Sequence, residues 1–417
     1  MALPPRFVNP FAPLQLTSED ASQLEALAHA FVRNTMDQYE RFAFDHRCEV
    51  DERRWKFVME RERVKAFAER REKDILAGSG NEGDDAPVLN AADLPVVLVT
   101  GTIEGTLDDA IYGYVSPTLD VMRIKTSYTE DQLVRCAVLA TLVHPTPEDP
   151  FRSVTIKWFE KGRPLHVRAV VRNRDFVYME STGMDMLSNG ERIGYHLIHS
   201  VQFPQTPELD TSLRGNMSFS GVFRQKTDKT VEVYIKGVMN PAGGLMRSII
   251  VKSASKGLVS SYRYVYCAEM KKLAWMLRKR TKAVGHSSSS SSSSSSGHDV
   301  LQDQVVSCAS CGKKPSAFSL MSGSKVKSKC KICHQHVCSS CRLQKKLSFI
   351  AADLRLVQPE ITFCAKCAIE AANASALQIA REELVAKEPF GWNAKYLSSS
   401  SSSELSPNSN AMYTDMY

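Results

Sequence analysis

Eight of the chain's eleven cysteines fall into four C-x-x-C pairs between Cys308 and Cys367, and nothing else in the sequence restricts the fold as tightly. Two thiols held two residues apart on a tight turn meet one metal ion, and two such knuckles complete a tetrahedron with Zn–S distances of about 2.3 Å. The spacing is Cys308-x2-Cys311, eighteen residues, Cys330-x2-Cys333, four residues, Cys338-x2-Cys341, twenty-two residues, Cys364-x2-Cys367. Eight soft ligands imply two zinc ions in closed sites. Neither site keeps a position for water, which argues against hydrolytic zinc chemistry. The opening segment MALPPRFVNPFAPLQL lacks an apolar run long enough for a secretory signal, so metal is favoured over disulfides and a soluble, cytoplasmic protein is expected. Spacing alone leaves open which knuckles share an ion. The other three cysteines, Cys48, Cys136 and Cys267, read as buried or idle thiols.

Charge concentrates in the same stretch. Between Cys308 and Cys367 eleven Lys or Arg face two acids, Asp353 and Glu360, a balance of +9. Eight thiolates and two zinc ions add −8 and +4, leaving about +5, a surface suited to anionic partners such as phosphoinositide membranes. Nucleic acid is disfavoured as a partner because the lysines are not interleaved with aromatics that could stack bases.

The ten-serine run from Ser287 to Ser296 can bury nothing and marks the main boundary. The expected domains are residues 1–284, a serine-rich linker at 285–300, a cysteine module with a following helix at 301–390, and a disordered tail at 391–417. GSGNEGDD at 78–85 reads as a surface loop.

Within the first domain, Thr17 or Ser18 can start a helix carrying Leu24, Leu27, Phe31, Met36 and Tyr39. RRWKFVMERERVKAFAERRE is ambiguous, helical by charge density and strand-like in the alternation of Trp55, Phe57 and Met59. From residue 95 the segments PVVLVTGTI, AVLATLV, SVTIKWFE, HVRAVVRNRDFVYME, ERIGYHLIHSVQF, NMSFSGVFRQ and TVEVYIKGVM read as strands joined too tightly for crossover helices, hence an antiparallel sheet. One helix interrupts them at TLDDAIYGYV. A long helix with Val259, Tyr262, Tyr266, Met270, Leu273 and Leu277 on one face closes the domain.

RDFVYMESTG at 174–183, GERIGYHLIHSVQFPQTPEL after it and the helix MKKLAWMLRKR resemble the corresponding strands and pocket-closing helix of START domains, over roughly residues 20 to 284. The resemblance implies an α+β fold, the START-like helix-grip domain, an antiparallel sheet with a long C-terminal helix. It also implies a tunnel for one hydrophobic, lipid-like ligand and a hairpin in the ambiguous segment. Relatives of this fold include cyclases, but no nucleophile and base pair stands at recognisable spacing, so no enzymatic activity is expected.

KCKICHQHVCSSCR resembles the core of a FYVE zinc finger. That family interleaves its two sites, which assigns Cys308, Cys311, Cys338 and Cys341 to one zinc and Cys330, Cys333, Cys364 and Cys367 to the other. It implies peripheral contact with phosphoinositides on endosomal membranes. Here the headgroup motif is eroded: Val326, Ser328 and Lys329 replace its arginine and two histidines, while Lys327, Lys329 and Lys331 keep positive charge as the candidate lipid-headgroup residues. Phe318, Leu320 and Met321 are candidates for a membrane-dipping loop or for the module's small core. His334 and His336 are surplus to eight cysteines and read as surface or packing residues. The competing class is a RING-type ubiquitin ligase or a zinc-finger adaptor for protein partners. RING modules usually carry a histidine ligand and a shorter gap before the next cysteine than the four residues between Cys333 and Cys338. After Cys367, AIEAANASALQIAREELVAKE reads as one helix.

Overall fold

The structure, a computed structural model, describes residues 9–71, 94–129, 133–162, 172–287, 307–314, 329–351 and 353–386. The loop at 78–85, the serine run from 288, Phe318, Leu320, Met321, Lys327 and the tail from 391 lie outside them. Over the described residues the chain divides into two compact units, 9–268 with 380–386, and 269–379.

Thr17 starts the first helix. Its Oγ1 accepts the backbone N–H of Asp20 at 3.1 Å while the Asp20 carboxylate accepts the backbone N–H of Thr17 at 2.9 Å. Such a reciprocal cap is worth about 1 kcal/mol. Helix α1, Ser18–Glu40, buries Ala28, Val32, Thr35, Met36 and Tyr39. Of the expected stripe, Met36 and Tyr39 are in the core and Leu24 and Phe31 pack partly buried against it, while Leu27 is exposed.

Ten strands follow: β1 Trp55–Arg61, β2 Val64–Glu69, β3 Val96–Glu104, β4 Leu133–Val143, β5 Ser153–Lys161, β6 Asn173–Met186, β7 Arg192–Ser200, β8 Ser212–Arg214, β9 Asn216–Thr227 and β10 Thr230–Asn240. They form one sheet in the order β1-β2-β3-β10-β9-β7-β6-β5-β4, antiparallel along that path, with β8 pairing parallel to β6. The ambiguous charged segment is the hairpin β1–β2, because Val64, Ala66 and Ala68 are buried at strand period while the charges point outward. Two helices, α2 Leu107–Tyr114 and α3 Leu119–Thr129, separate β3 from β4, where the sequence suggests one. The closing helix is broken. Helix α4, Arg247–Val259, passes through a 3-10 turn at Ser260–Arg263 into α5, Tyr264–Ser287.

Period-two alternation gives the sheet two faces. One packs Leu98, Ile156, Trp158, Val177, Met179, Ile193, Leu197 and Val222 into a single core with Val32, Met36 and Tyr39 of α1. The other carries His196 and Phe223 against Tyr114 of α2 and Tyr264 of α5. The Asp175 side chain, fully buried, ties the sheet together across three elements. It accepts from Trp158 Nε1 at 2.9 Å, Ser212 Oγ at 2.8 Å and Arg214 Nε at 2.9 Å. The RDFV segment thus has a physical reason for its aspartate: it attaches β8 to β6 and satisfies a buried indole.

The second unit contains short strands β11 Leu343–Lys346, β12 Phe349–Ile350, β13 Leu356–Val357 and β14 Glu360–Phe363, paired β11 with β14 and β12 with β13. The segment read as one helix after Cys367 is two, α6 Ala365–Asn373 and α7 Ala376–Val385. Buried Lys272 donates from Nζ to the carbonyls of Ala372 and Ala374 at 2.7 and 3.0 Å, satisfying acceptors that a helix end leaves free.

Gly113 of α2 lies against the start of α5 so closely that a Cβ there would stand 1.9 Å from the carbonyl oxygen of Tyr264. Backbone cannot move aside as a side chain can. Gly113→Ala should therefore destabilise the domain by about 3 kcal/mol, at the upper end of overpacking costs. Urea denaturation followed by tryptophan fluorescence measures it, and an unchanged midpoint would remove this helix contact.

Candidate functional site

The cysteine module is built on two turns of the same kind. In each, the residue after the second cysteine adopts left-handed backbone, Gly312 at φ 70° and His334 at φ 60°. Its N–H returns to the carbonyl of the first cysteine, at 2.9 Å in both cases. His334 thus serves the turn through its backbone, in a conformation that histidine tolerates better than most residues.

The four knuckles pair first with third and second with fourth. Cys308, Cys311, Cys338 and Cys341 bring their Sγ atoms within 4.8 Å of one another, and so do Cys330, Cys333, Cys364 and Cys367. Cys311 and Cys338 stand 3.8 Å apart, as do Cys333 and Cys364. The edge of a tetrahedron with metal–sulfur bonds of about 2.3 Å is about 3.8 Å, so each group could hold one metal ion with four thiolates. Backbone N–H groups are already directed at sulfur: Cys338 N–H donates to Cys308 Sγ at 3.3 Å and Cys367 N–H to Cys364 Sγ at 3.4 Å. Both groups are complete without His334 or His336. Of the candidate headgroup lysines, Lys329 is exposed and Lys331 half-buried. The Lys331 backbone N–H donates to Thr362 O of β14 at 3.0 Å.

A second cluster, not singled out from the sequence, lies on the inner face of the sheet. Lys157 of β5 and Glu180 of β6 form an ion pair with both side chains buried. Lys157 Nζ also donates to the Ser116 carbonyl at 2.7 Å, and Tyr114 OH donates to Glu180 at 3.3 Å. Burial pushes the Glu180 carboxyl up, but the Lys157 and Lys125 charges and the Lys157 hydrogen bond together outweigh it and hold the group below the usual carboxylate range. Beside it the His196 ring stacks on Tyr114 with centroids 4.4 Å apart. Both His196 ring nitrogens are buried and neither has a hydrogen-bond partner among the described residues, while burial pushes its pKa down to about 3. The available signal was a Lys and a Glu inside the apolar strands SVTIKWFE and DFVYMES, where the inward side chain should be hydrophobic.

The remaining thiols are apart from the two metal sets. Cys136 and Cys267 are buried. Cys48 donates to Glu232 Oε1 at 3.2 Å, with its pKa pushed up to about 11 by burial.

No known protein family and no curated protein sequence matches this chain. Among solved structures, human StAR-related lipid transfer protein 5 is similar over 60% of this chain and 98% of its own, at 14% identity and a TM-score of 0.39. The crystal structure of human STARD10 matches over 58% and 82%, at 13% identity and 0.37. The human StarD13 (DLC2) lipid transfer and protein localization domain matches over 51% and 88%, at 12% and 0.35. At these values the helix-grip outline rests on the strand order and the closing helix themselves.

Freshly purified, reduced protein should contain two zinc ions per chain by elemental analysis. Cys330→Ser should lose at least one, whereas His334→Gly should keep both because it supplies only backbone; loss of metal from the glycine variant would make His334 a ligand. His196 generates a pH dependence. In the unfolded chain it titrates near 6.5, whereas the folded site keeps it neutral down to about 3. The unfolded state therefore takes up a proton below pH 6.5, and stability falls by about 1.4 kcal/mol per pH unit as pH drops. From pH 6.5 to 5 this amounts to about 2 kcal/mol, and denaturant titrations of wild type and His196→Leu should differ by that increment.

Proposed function

We propose that this chain is a non-enzymatic zinc protein that carries one hydrophobic ligand with a polar end beneath its closing helix, and that its cysteine module adds weak affinity for anionic membranes. The observation that carries the ligand reading is His196. A buried polar group without a partner is uncommon and costs about 1–3 kcal/mol. A ligand hydroxyl or carbonyl placed against the imidazole would satisfy it, with the adjoining Lys157–Glu180 pair fixing orientation. Two of the similar structures are named for lipid transfer, which agrees with an apolar ligand.

The four-thiolate sets leave no open metal position for substrate, so the zinc ions act by folding the module. Its lysines would meet the membrane as point charges. Lys329 and Lys331 have no carboxylate partner among the described residues, and each cation near an anionic surface contributes about 1 kcal/mol. Lysine ammonium groups lack the directional fork of arginine, so phosphatidylinositol 3-phosphate should be preferred over other monophosphates by less than about tenfold.

Organic extraction of the purified protein followed by mass spectrometry should recover about one equivalent of a lipid bearing a hydrogen-bonding group, and His196→Leu should reduce its occupancy. Protein that yields no lipid, and whose thermal midpoint no added lipid raises, would leave the interior as packing alone. Liposome flotation with Lys327, Lys329 and Lys331 all changed to Ala tests the module: binding should fall near physiological salt, and unchanged binding would reduce these lysines to a solvated face.

A further inference from the structure

From Val233 to Ala268 the chain has no Asp or Glu and five cations, Lys236, Arg247, Lys252, Lys256 and Arg263. Helix α4 lies within this stretch and presents two different sides. Ile250, Val251, Ala254, Ser255 and Val259 are buried, and so is Arg247, whose guanidinium donates to the Glu69 carbonyl at 2.5 Å and fixes the helix against β2. The opposite side exposes Met246, Ile249, Lys252 and Lys256. At about 100° per residue these four share an arc of about 120°. Met246 and Ile249 are 41% and 42% exposed and lie one turn apart. Ahead of them Gly243 and Gly244, at φ 73° and 62°, form a turn, and a Cβ on Gly244 would meet nothing within 4 Å. The turn is held from behind by Arg174, which donates to the Pro241 carbonyl at 3.3 Å. Lys252 and Lys256 have no acidic partner among the described residues. Lys161 adds a third cation beside them, its Nζ 3.4 Å from Ser253 Oγ.

We propose that this edge of α4 is a docking surface for an anionic lipid bilayer, with Met246 and Ile249 entering the acyl boundary and Lys252 and Lys256 at the level of the phosphates. The arrangement fits a membrane better than any other polyanion because the apolar pair leads and the lysines follow at about 5 and 10 Å along the axis. A helix lying in an interface has that order of groups, and α4 itself carries no carboxylate to oppose it. This surface is separate from the lysines of the cysteine module and does not require that the interior hold a ligand.

The test uses full-length, zinc-loaded protein sedimented with vesicles of phosphatidylcholine, alone or mixed with phosphatidylserine. Wild type should bind the mixed vesicles. Lys252→Ala with Lys256→Ala should weaken binding about thirtyfold, equivalent to about 2 kcal/mol. Met246→Ser with Ile249→Ser should weaken it at least about tenfold, since both side chains leave water only when inserted. Lys329→Ala with Lys331→Ala should leave the α4 contribution in place. In wild type, hydrogen exchange across residues 241–256 should slow when mixed vesicles are added, a readout independent of any variant's folding. Unchanged exchange there, or full binding by both α4 variants, overturns the proposal. Sensitivity to the lysines without sensitivity to Met246 and Ile249 also overturns it, because the surface would then bind polyanions such as nucleic acid by charge alone.

Discussion

A nine-strand antiparallel path has two faces, and the rest of the first unit is arranged to cover them. The alternation of side chains sends Ile156, Trp158, Val177 and Met179 to the face beneath α1, and it sends their neighbours Lys157 and Glu180 to the other. The apolar face is closed by a single amphipathic helix. The inner face is closed by α2 and the start of α5, and the absence of a side chain at Gly113 lets the two helices approach to backbone contact. Removing one charge of the pair would leave its partner buried and uncompensated, a loss of about 3–5 kcal/mol, whereas apolar replacement of both could be neutral.

Much of this was legible in the sequence because it depends on local chemistry. The Thr17 cap, the strand periods from residue 95 and the four knuckles need no knowledge of distant residues. The metal sets needed more, since spacing alone could not pair the knuckles and only the resemblance to an interleaved finger did. The charged hairpin β1–β2 misled on its own terms: its Arg and Glu density suits a helix surface equally well, and the deciding burial of Val64, Ala66 and Ala68 depends on β3.

The errors have physical causes too. In α1 the expected stripe holds at Leu24, Phe31, Met36 and Tyr39 and fails at Leu27, because the buried face centres on Ala28 and Val32, whose small side chains allow close approach to the sheet. The closing helix reads as continuous because its apolar period crosses residues 260–263. A four-residue 3-10 turn advances about 120° per residue in place of about 100°, so the face beyond it is displaced by about 80°, and Tyr266 becomes exposed. Strand β8 has three residues, and its pairing with β6 depends on Asp175 in a strand read for its hydrophobicity. His196 was invisible for a similar reason: a histidine in an apolar strand acquires meaning only when its neighbours fail to supply a partner.

The interleaved cysteine sets impose an order on the making of this protein. The first set lacks its last two ligands until Cys338 and Cys341 have been synthesised, by which time Cys330 and Cys333 have already emerged between the two halves with no partners of their own. The second set must wait for Cys367. During that interval a nascent chain displays four thiols beside a pair awaiting completion, and a wrongly shared ion would join neighbouring knuckles that the finished fold keeps in different sites. Metal supply and the pace of translation across these sixty residues therefore bear on whether the module reaches its native pairing.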